Sequence, residues 1–173
     1  PTGLTSSLPK KPFSYSISIV DKIDTLVGFF VIDEKPTSSK DPFALRRAAI
    51  GLLRIIIENK LSFKLRDLIS YAIRLYQEQG VEIKNEKTEQ QVLEFIKERM
   101  RNVLKLKNIK TDVIEASISS HAGDNFLALY AKTLLMNKYK NKGIGLNAIN
   151  SYKRASNILD KAGKRITGRP DAV

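Results

Sequence analysis

The stretch from Phe43 to Glu58 constrains this chain more than any other. Laid on a helix of about 3.6 residues per turn, its polar positions Arg47, Gly51, Arg54 and Glu58 fall on one narrow stripe. Nearly every other position is apolar. A helix with so thin a polar edge is buried over most of its circumference, so the chain must supply other helices to surround it. Just ahead stand Asp41, suited to capping, and Pro42, suited to a first helical position that needs no backbone donor.

The surrounding helices are legible to different degrees. Ser62 is placed to cap a helix whose apolar face is Leu65, Leu68, Ile69, Ala72, Ile73 and Tyr76, ended by Gly80. Thr88 and Gln91 have the spacing of a capping box, ahead of an inward face of Val92, Ile96, Met100, Val103 and Leu104. A short helix is expected over Asp112–Ser119, with two more over Asn125–Tyr139 and Leu146–Leu159. The dozen residues at the start and the tail from Gly163 read as loop. One segment gives a divided signal. Phe13, Tyr15, Ile17 and Ile19 alternate with Ser14, Ser16 and Ser18, as in a strand, whereas Ile19, Ile23, Leu26 and Phe30 step by three and four, as on a helix. The architecture expected is all-α, a helical bundle of six to seven helices.

Charge narrows the function. The 173 residues carry a formal net charge of +12. Residues 1–86 hold thirteen basic and ten acidic side chains, and residues 87–173 hold seventeen and eight. A field of that sign concentrates polyanions, which points to nucleic acid, although solvated lysine-rich faces give the same composition. The absence of cysteine excludes disulfides, thiolate metal sites and cysteine nucleophiles. The longest apolar run, Ala48–Ile57, is broken by Arg54 and is shorter than the roughly 20 residues a bilayer requires, so no membrane span is expected. Without a starting Met or a signal-peptide pattern, the chain is expected to be a piece of a cytoplasmic protein.

Catalytic chemistry is hard to find. Gly143 and Gly145 lack the further Gly or Lys-Ser/Thr of a phosphate loop. His121, the single histidine, is expected in a solvated turn. Asp21 and Asp24, three apart, share a helix face; either they bind a divalent ion with oxygen ligands from elsewhere, or Asp21 pairs with a neighbouring base or caps another helix. Arg46 and Arg47 diverge around their helix, one expected to anchor a carboxylate such as Asp21 or Asp24 and the other to reach solvent or phosphate. In Tyr152–Leu159, Arg154 and Asn157 lie three apart and suit a phosphate or a base edge.

Three blocks together resemble the β subunit of the bacterial heterotetrameric glycyl-tRNA synthetases: Val20–Gly28, Lys35-Pro36-Thr37, and Lys40–Ala49 followed by Leu52-Leu53-Arg54-Ile55-Ile56. The Leu4–Pro9 lead-in and the Tyr152–Leu159 block stand in the matching order. The resemblance implies an internal fragment and resolves the divided segment in favour of helix across Tyr15–Val27. It implies residues 1–83 as the later part of an HD-like helical domain, 84–122 as connecting helices, and 123–173 as a basic helical region approaching an anticodon-binding-type domain. The late metal-binding Asp of HD phosphohydrolases would fall at the Asp21–Asp24 helix. The His-Asp dyad such chemistry requires is not in these residues, so no metal is assigned. Where the family usually has glycine before Asp41, this chain has Val31, Asp33 and Ser38.

The function implied is that of a non-catalytic, tRNA-facing part of a ligase whose α subunit uses ATP to activate glycine. The fragment needs no cofactor of its own. Its partners are glycine tRNA and the α subunit, in an α2β2 holoenzyme. The residues expected to hold tRNA are Lys138, Lys140, Lys142, Lys153, Arg154, Lys161, Lys164 and Arg165. Two alternatives stand beside it: a structural segment that binds the α subunit without touching tRNA, and an HD-type phosphohydrolase remnant.

Overall fold

The computed structural model describes residues 8–37, 40–121 and 123–140. Six helices occupy them: α1 Pro12–Val31, α2 Leu45–Glu58, α3 Leu65–Glu78, α4 Thr88–Leu106, α5 Thr111–Ser119 and α6 Phe126–Lys140. Every regular element among the described residues is helical, and the fold is all-α. The chain divides into two compact units, residues 1–134 and 135–173, and the described part of the second is the end of α6. The helix expected at Leu146–Leu159 lies outside the described residues.

In the first unit α1 packs on α2, α3 and α4, while α4 also packs on α2, α3 and α5. Helix α2 is enclosed as its pattern requires, with Leu45, Ala49, Leu52, Leu53, Ile55 and Ile56 buried. Gly51, expected on the polar edge, is buried too. A Cβ there would stand 3.0 Å from Lys22 Cε, so the bare backbone admits the Lys22 stem as α1 crosses α2. The two helices run antiparallel. Phe29 stacks on Phe43 with ring centroids 4.0 Å apart, Lys22 crosses Gly51, and Asn59 Nδ2 donates to the Pro9 carbonyl at 3.2 Å.

Helix α1 fulfils the expected helix over Tyr15–Val27 and extends it at both ends, with Pro12 in its first turn. The strand-like alternation has a simple origin. Ile19, Ile23, Leu26, Val27 and Phe30 face the core, and Phe13, Ile17 and Val20 form a second apolar row facing outward. Interleaving the two rows imitates a period of two. At the end of α1, Asp33 takes the left-handed conformation (φ 66°), and its carboxylate pairs with Lys35 Nζ at 2.6 Å. That is one of the positions where the resemblance leads to an expectation of glycine. Val31, another, is buried as the last residue of α1.

The expected caps were mostly misplaced. Asp41 does cap α2, but from outside the helix: Oδ1 accepts from Leu45 N at 2.8 Å and Oδ2 from Arg46 N at 3.1 Å. Ala44 turns left-handed (φ 56°) between them, so Pro42 sits in the preceding turn instead of at the first helical position. Ser62 does not cap α3. Asp124, distant in sequence, accepts from Arg66 N at 2.8 Å, and Ser62 Oγ accepts from Asn125 Nδ2 at 2.9 Å. Thr88 and Gln91 form no capping box. Thr88 Oγ1 donates to the Asn85 carbonyl at 2.6 Å, and Gln91 Oε1 accepts from Lys35 Nζ at 2.8 Å, tying α4 to the loop after α1. The end of α3 follows expectation. Gly80 is left-handed (φ 78°), and Val81 N returns to the Tyr76 carbonyl at 3.0 Å.

Candidate nucleic-acid interface

Of the eight cations expected to hold tRNA, Lys138 and Lys140 fall within the described residues. Both lie in the last turn of α6, where positive charge complements the carbonyl end of the helix dipole. Two positions apart, they point about 200° from each other, and Lys138 is exposed while Lys140 is half-buried. They do not share a face. Lys142, Lys153, Arg154, Lys161, Lys164 and Arg165, together with the Tyr152–Leu159 block, lie outside the described residues.

The other cations divide by whether a carboxylate neutralises them. Arg101 donates to Glu115 at 3.0 Å and to Glu98 at 2.8 Å, joining α4 to α5, and those bonds hold its guanidinium firmly charged. Arg54 pairs with Glu58 at 3.7 Å and Lys97 with Glu94 at 3.1 Å. Arg66 pairs with Glu89. Arg46 was expected to anchor Asp21 or Asp24. It faces Asp41 at 3.9 Å and donates to the Thr37 carbonyl, because the left-handed turn at Ala44 folds that loop back over the helix start. Arg47 is exposed. By contrast, among the described residues no ion pair engages Lys10, Lys11, Lys60, Lys105, Lys107 or Lys110, all exposed. Sequence reasoning missed these residues because it counted charge by chain half. The run Lys105-Leu106-Lys107-Asn108-Ile109-Lys110, with no acid in it, was the available signal.

The acidic pair resolves structurally. The Asp21 side chain is 71% exposed and lies 3.6 Å from Lys22 Nζ. Asp24 Oδ1 accepts from the Tyr76 hydroxyl at 2.9 Å, fastening α3 to α1. Burial, then the hydrogen bond to Asp24 and its charge, push the Tyr76 hydroxyl up to about 12. Among the described residues, no three His, Cys, Asp or Glu side chains are grouped so as to hold a metal ion. His121 departs from the solvated residue expected. It is half-buried, its Nε2 is shielded from solvent, and burial followed by the charge of Lys132 lowers its pKa. The turn carrying it is drawn inward because Lys132 Nζ donates to the Ser120 carbonyl at 2.8 Å and Asp124 caps α3.

The arrangement offers cationic helix ends and no set of groups suited to nucleophilic or metal chemistry among the described residues. The model of the glycyl-tRNA synthetase beta subunit family matches residues 1–119. The chain belongs to that family. It is 37% identical over 171 residues to the glycine–tRNA ligase beta subunit of Rickettsia canadensis (strain McKiel), covering 99% of this chain and 24% of that protein. The beta subunit of Rhodospirillum centenum (strain ATCC 51521 / SW) is 36% identical over 174 residues, covering 100% of this chain and 23% of that protein. That of Ruegeria sp. (strain TM1040) is 35% identical over 162 residues, covering 94% and 22%. The chain thus spans about a quarter of the length of the curated relatives it matches. No helix among its described residues is long and apolar enough to cross a membrane.

Proposed function

We propose that this chain is a non-catalytic, tRNA-facing part of a glycine–tRNA ligase beta subunit, supporting ATP-dependent attachment of glycine to its tRNA by the alpha subunit. Membership of the beta-subunit family carries the reading, and the excess of cations over residues 87–173 supports contact with RNA phosphates. Positioning is the mechanism: basic helix surfaces hold the tRNA backbone while chemistry proceeds on the alpha subunit. The proposal includes an α2β2 holoenzyme in the cytoplasm, no activity or cofactor of residues 1–173 alone, and the three-part division at 83/84 and 122/123. The phosphate contacts proposed are Lys138, Lys140, Lys142, Lys153, Arg154, Lys161, Lys164 and Arg165. Replacing Lys153 and Arg154 together with Ala weakens tRNA binding and flattens its salt dependence by about one unit of slope per lost phosphate contact. A slope equal to that of the unaltered chain removes those two residues from the assignment.

One observation favours a second reading, in which the segment docks on the alpha subunit. Phe13, Ile17 and Val20 on α1 and Leu68, Tyr71 and Leu75 on α3 are large, apolar and exposed. Beside them lies a cavity of about 350 Å³ lined by Ile19, Val20, Leu61, Phe63 and Leu68. Apolar association strengthens in salt whereas phosphate contacts weaken. Co-purification with the alpha subunit that survives high salt supports this reading, and dissociation by salt refutes it.

A further inference from the structure

Resting on the tRNA-facing reading above, we propose that the end of the bundle formed by the start of α1, the ends of α2 and α4 and the start of α5 is a second RNA-phosphate surface, carried by Lys10, Lys11, Lys60, Lys105, Lys107 and Lys110. Two contacts and the course of the chain bring these residues to one end. Asn59, closing α2, donates to the Pro9 carbonyl at 3.2 Å, which sets Lys10 and Lys11 beside Lys60. Arg54, Ile57 and Glu58 of α2 and Val103, Leu106 and Lys107 line one cavity of about 290 Å³, which sets the end of α4 against the end of α2. Lys110 then opens α5.

The charge there is not neutralised. Among the described residues no ion pair engages any of the six lysines. The acids of these elements are otherwise engaged: Glu58 pairs with Arg54, Glu115 with Arg101, and Asp112 accepts from Val113 N at 2.8 Å. Three of the lysines, Lys60, Lys105 and Lys107, also sit at helix C-terminal ends, where positive charge complements the dipole. Both α2 and α4 end by turning left-handed, at Lys60 (φ 53°) and Asn108 (φ 57°), with Leu61 N returning to the Ile56 carbonyl and Ile109 N to the Leu104 carbonyl.

Two of the lysines stand where the fold itself disfavours them. Lys11 occupies the N-cap of α1 and Lys110 that of α5, and neither cap makes a side-chain hydrogen bond; the first turn of α1 contains no acid, whereas that of α5 holds Asp112. A helix N-terminus attracts anions, and a cation there opposes the dipole. Lysine at such a position weakens the helix, a cost that an RNA phosphate bound beside it would offset. RNA backbone phosphate is the polyanion that the proposed function supplies.

The test is binding of the chain to glycine tRNA by fluorescence anisotropy, for the unaltered protein and for K10Q/K11Q/K110Q, at about 50 and 200 mM salt. Each lost phosphate contact removes about one unit of salt slope, so affinity of the unaltered chain should fall about 40-fold more over that range than affinity of the triple variant. The melting temperature of the variant should be equal or higher, because cations that oppose helix dipoles have been removed. Equal salt slopes for the two proteins, with tRNA still bound, overturn this surface and leave the function proposed above intact. No binding by the unaltered chain at either salt overturns that function and this surface with it.

Discussion

Replacing Gly28 with Ala probes the junction of α1 and α3 most sharply. A Cβ at Gly28 would stand 2.5 Å from the Tyr76 hydroxyl oxygen and 3.1 Å from Cζ, so the phenol must move away. Moving it breaks the 2.9 Å hydrogen bond to Asp24 Oδ1. Alanine inside a helix is worth about 1 kcal/mol over glycine. Against that stand about 1 kcal/mol for the hydrogen bond and about 1–3 kcal/mol for forcing the ring out of its packing. The net expectation is a destabilisation of about 1–3 kcal/mol, measured by urea unfolding. In a Tyr76→Phe background the offending oxygen is gone, and the same substitution should be close to neutral. The double-mutant cycle should therefore give a coupling of about 1–3 kcal/mol between the two positions. A G28A chain that is more stable than the unaltered one by the full helix-propensity gain refutes the close approach. The same pair has a pH signature. The Tyr76 hydroxyl is raised from 10.0 to about 12 in the folded chain, so the unfolded state releases its proton first. The stabilisation is complete below pH 10 and is lost as pH rises toward 12, and Y76F should lack that loss.

Two further outcomes follow from the caps and the turn at His121. Asp41→Ala leaves two backbone donors of α2 without acceptors and should cost about 1–2 kcal/mol by urea unfolding, whereas D41N should recover part of it; equal stability of D41A would detach Asp41 from the helix start. The folded-state pKa of His121 lies below 6.5, so the unfolded chain takes up the proton first and stability should fall as pH drops below 6.5. Thermal melts of H121Q should show a flatter dependence over that window, and an unchanged slope would contradict the half-buried histidine.

The helices were legible because burial writes a period into the sequence. The polar stripe of α2 and the Val92, Ile96, Met100, Leu104 face of α4 each name an inner surface without reference to any partner. What the sequence hid is what depends on distant residues. The cap of α3 comes from Asp124, the Gln91 amide serves Lys35, and Asp41 reaches α2 across a left-handed Ala44 that no spacing rule marks. Gly51 reads as polar edge until α1 is laid across it. The outward row Phe13, Ile17, Val20 made the start of α1 resemble a strand, and the family resemblance tipped a divided signal to helix. The interface was less legible still. Net charge located cations in the second half of the chain, but whether a lysine is free depends on which carboxylate folds beside it, as Arg46 with Asp41 and Arg101 with Glu115 demonstrate.

The central claim is that this chain carries a tRNA-facing surface. Its most direct test is binding of residues 1–173 to glycine tRNA and to a non-cognate tRNA, each at low and physiological salt. Binding to glycine tRNA should be tight at low salt and weaken steeply as salt rises. Failure to bind either tRNA at low salt would contradict it and leave the chain a scaffold for contacts made elsewhere in the beta subunit.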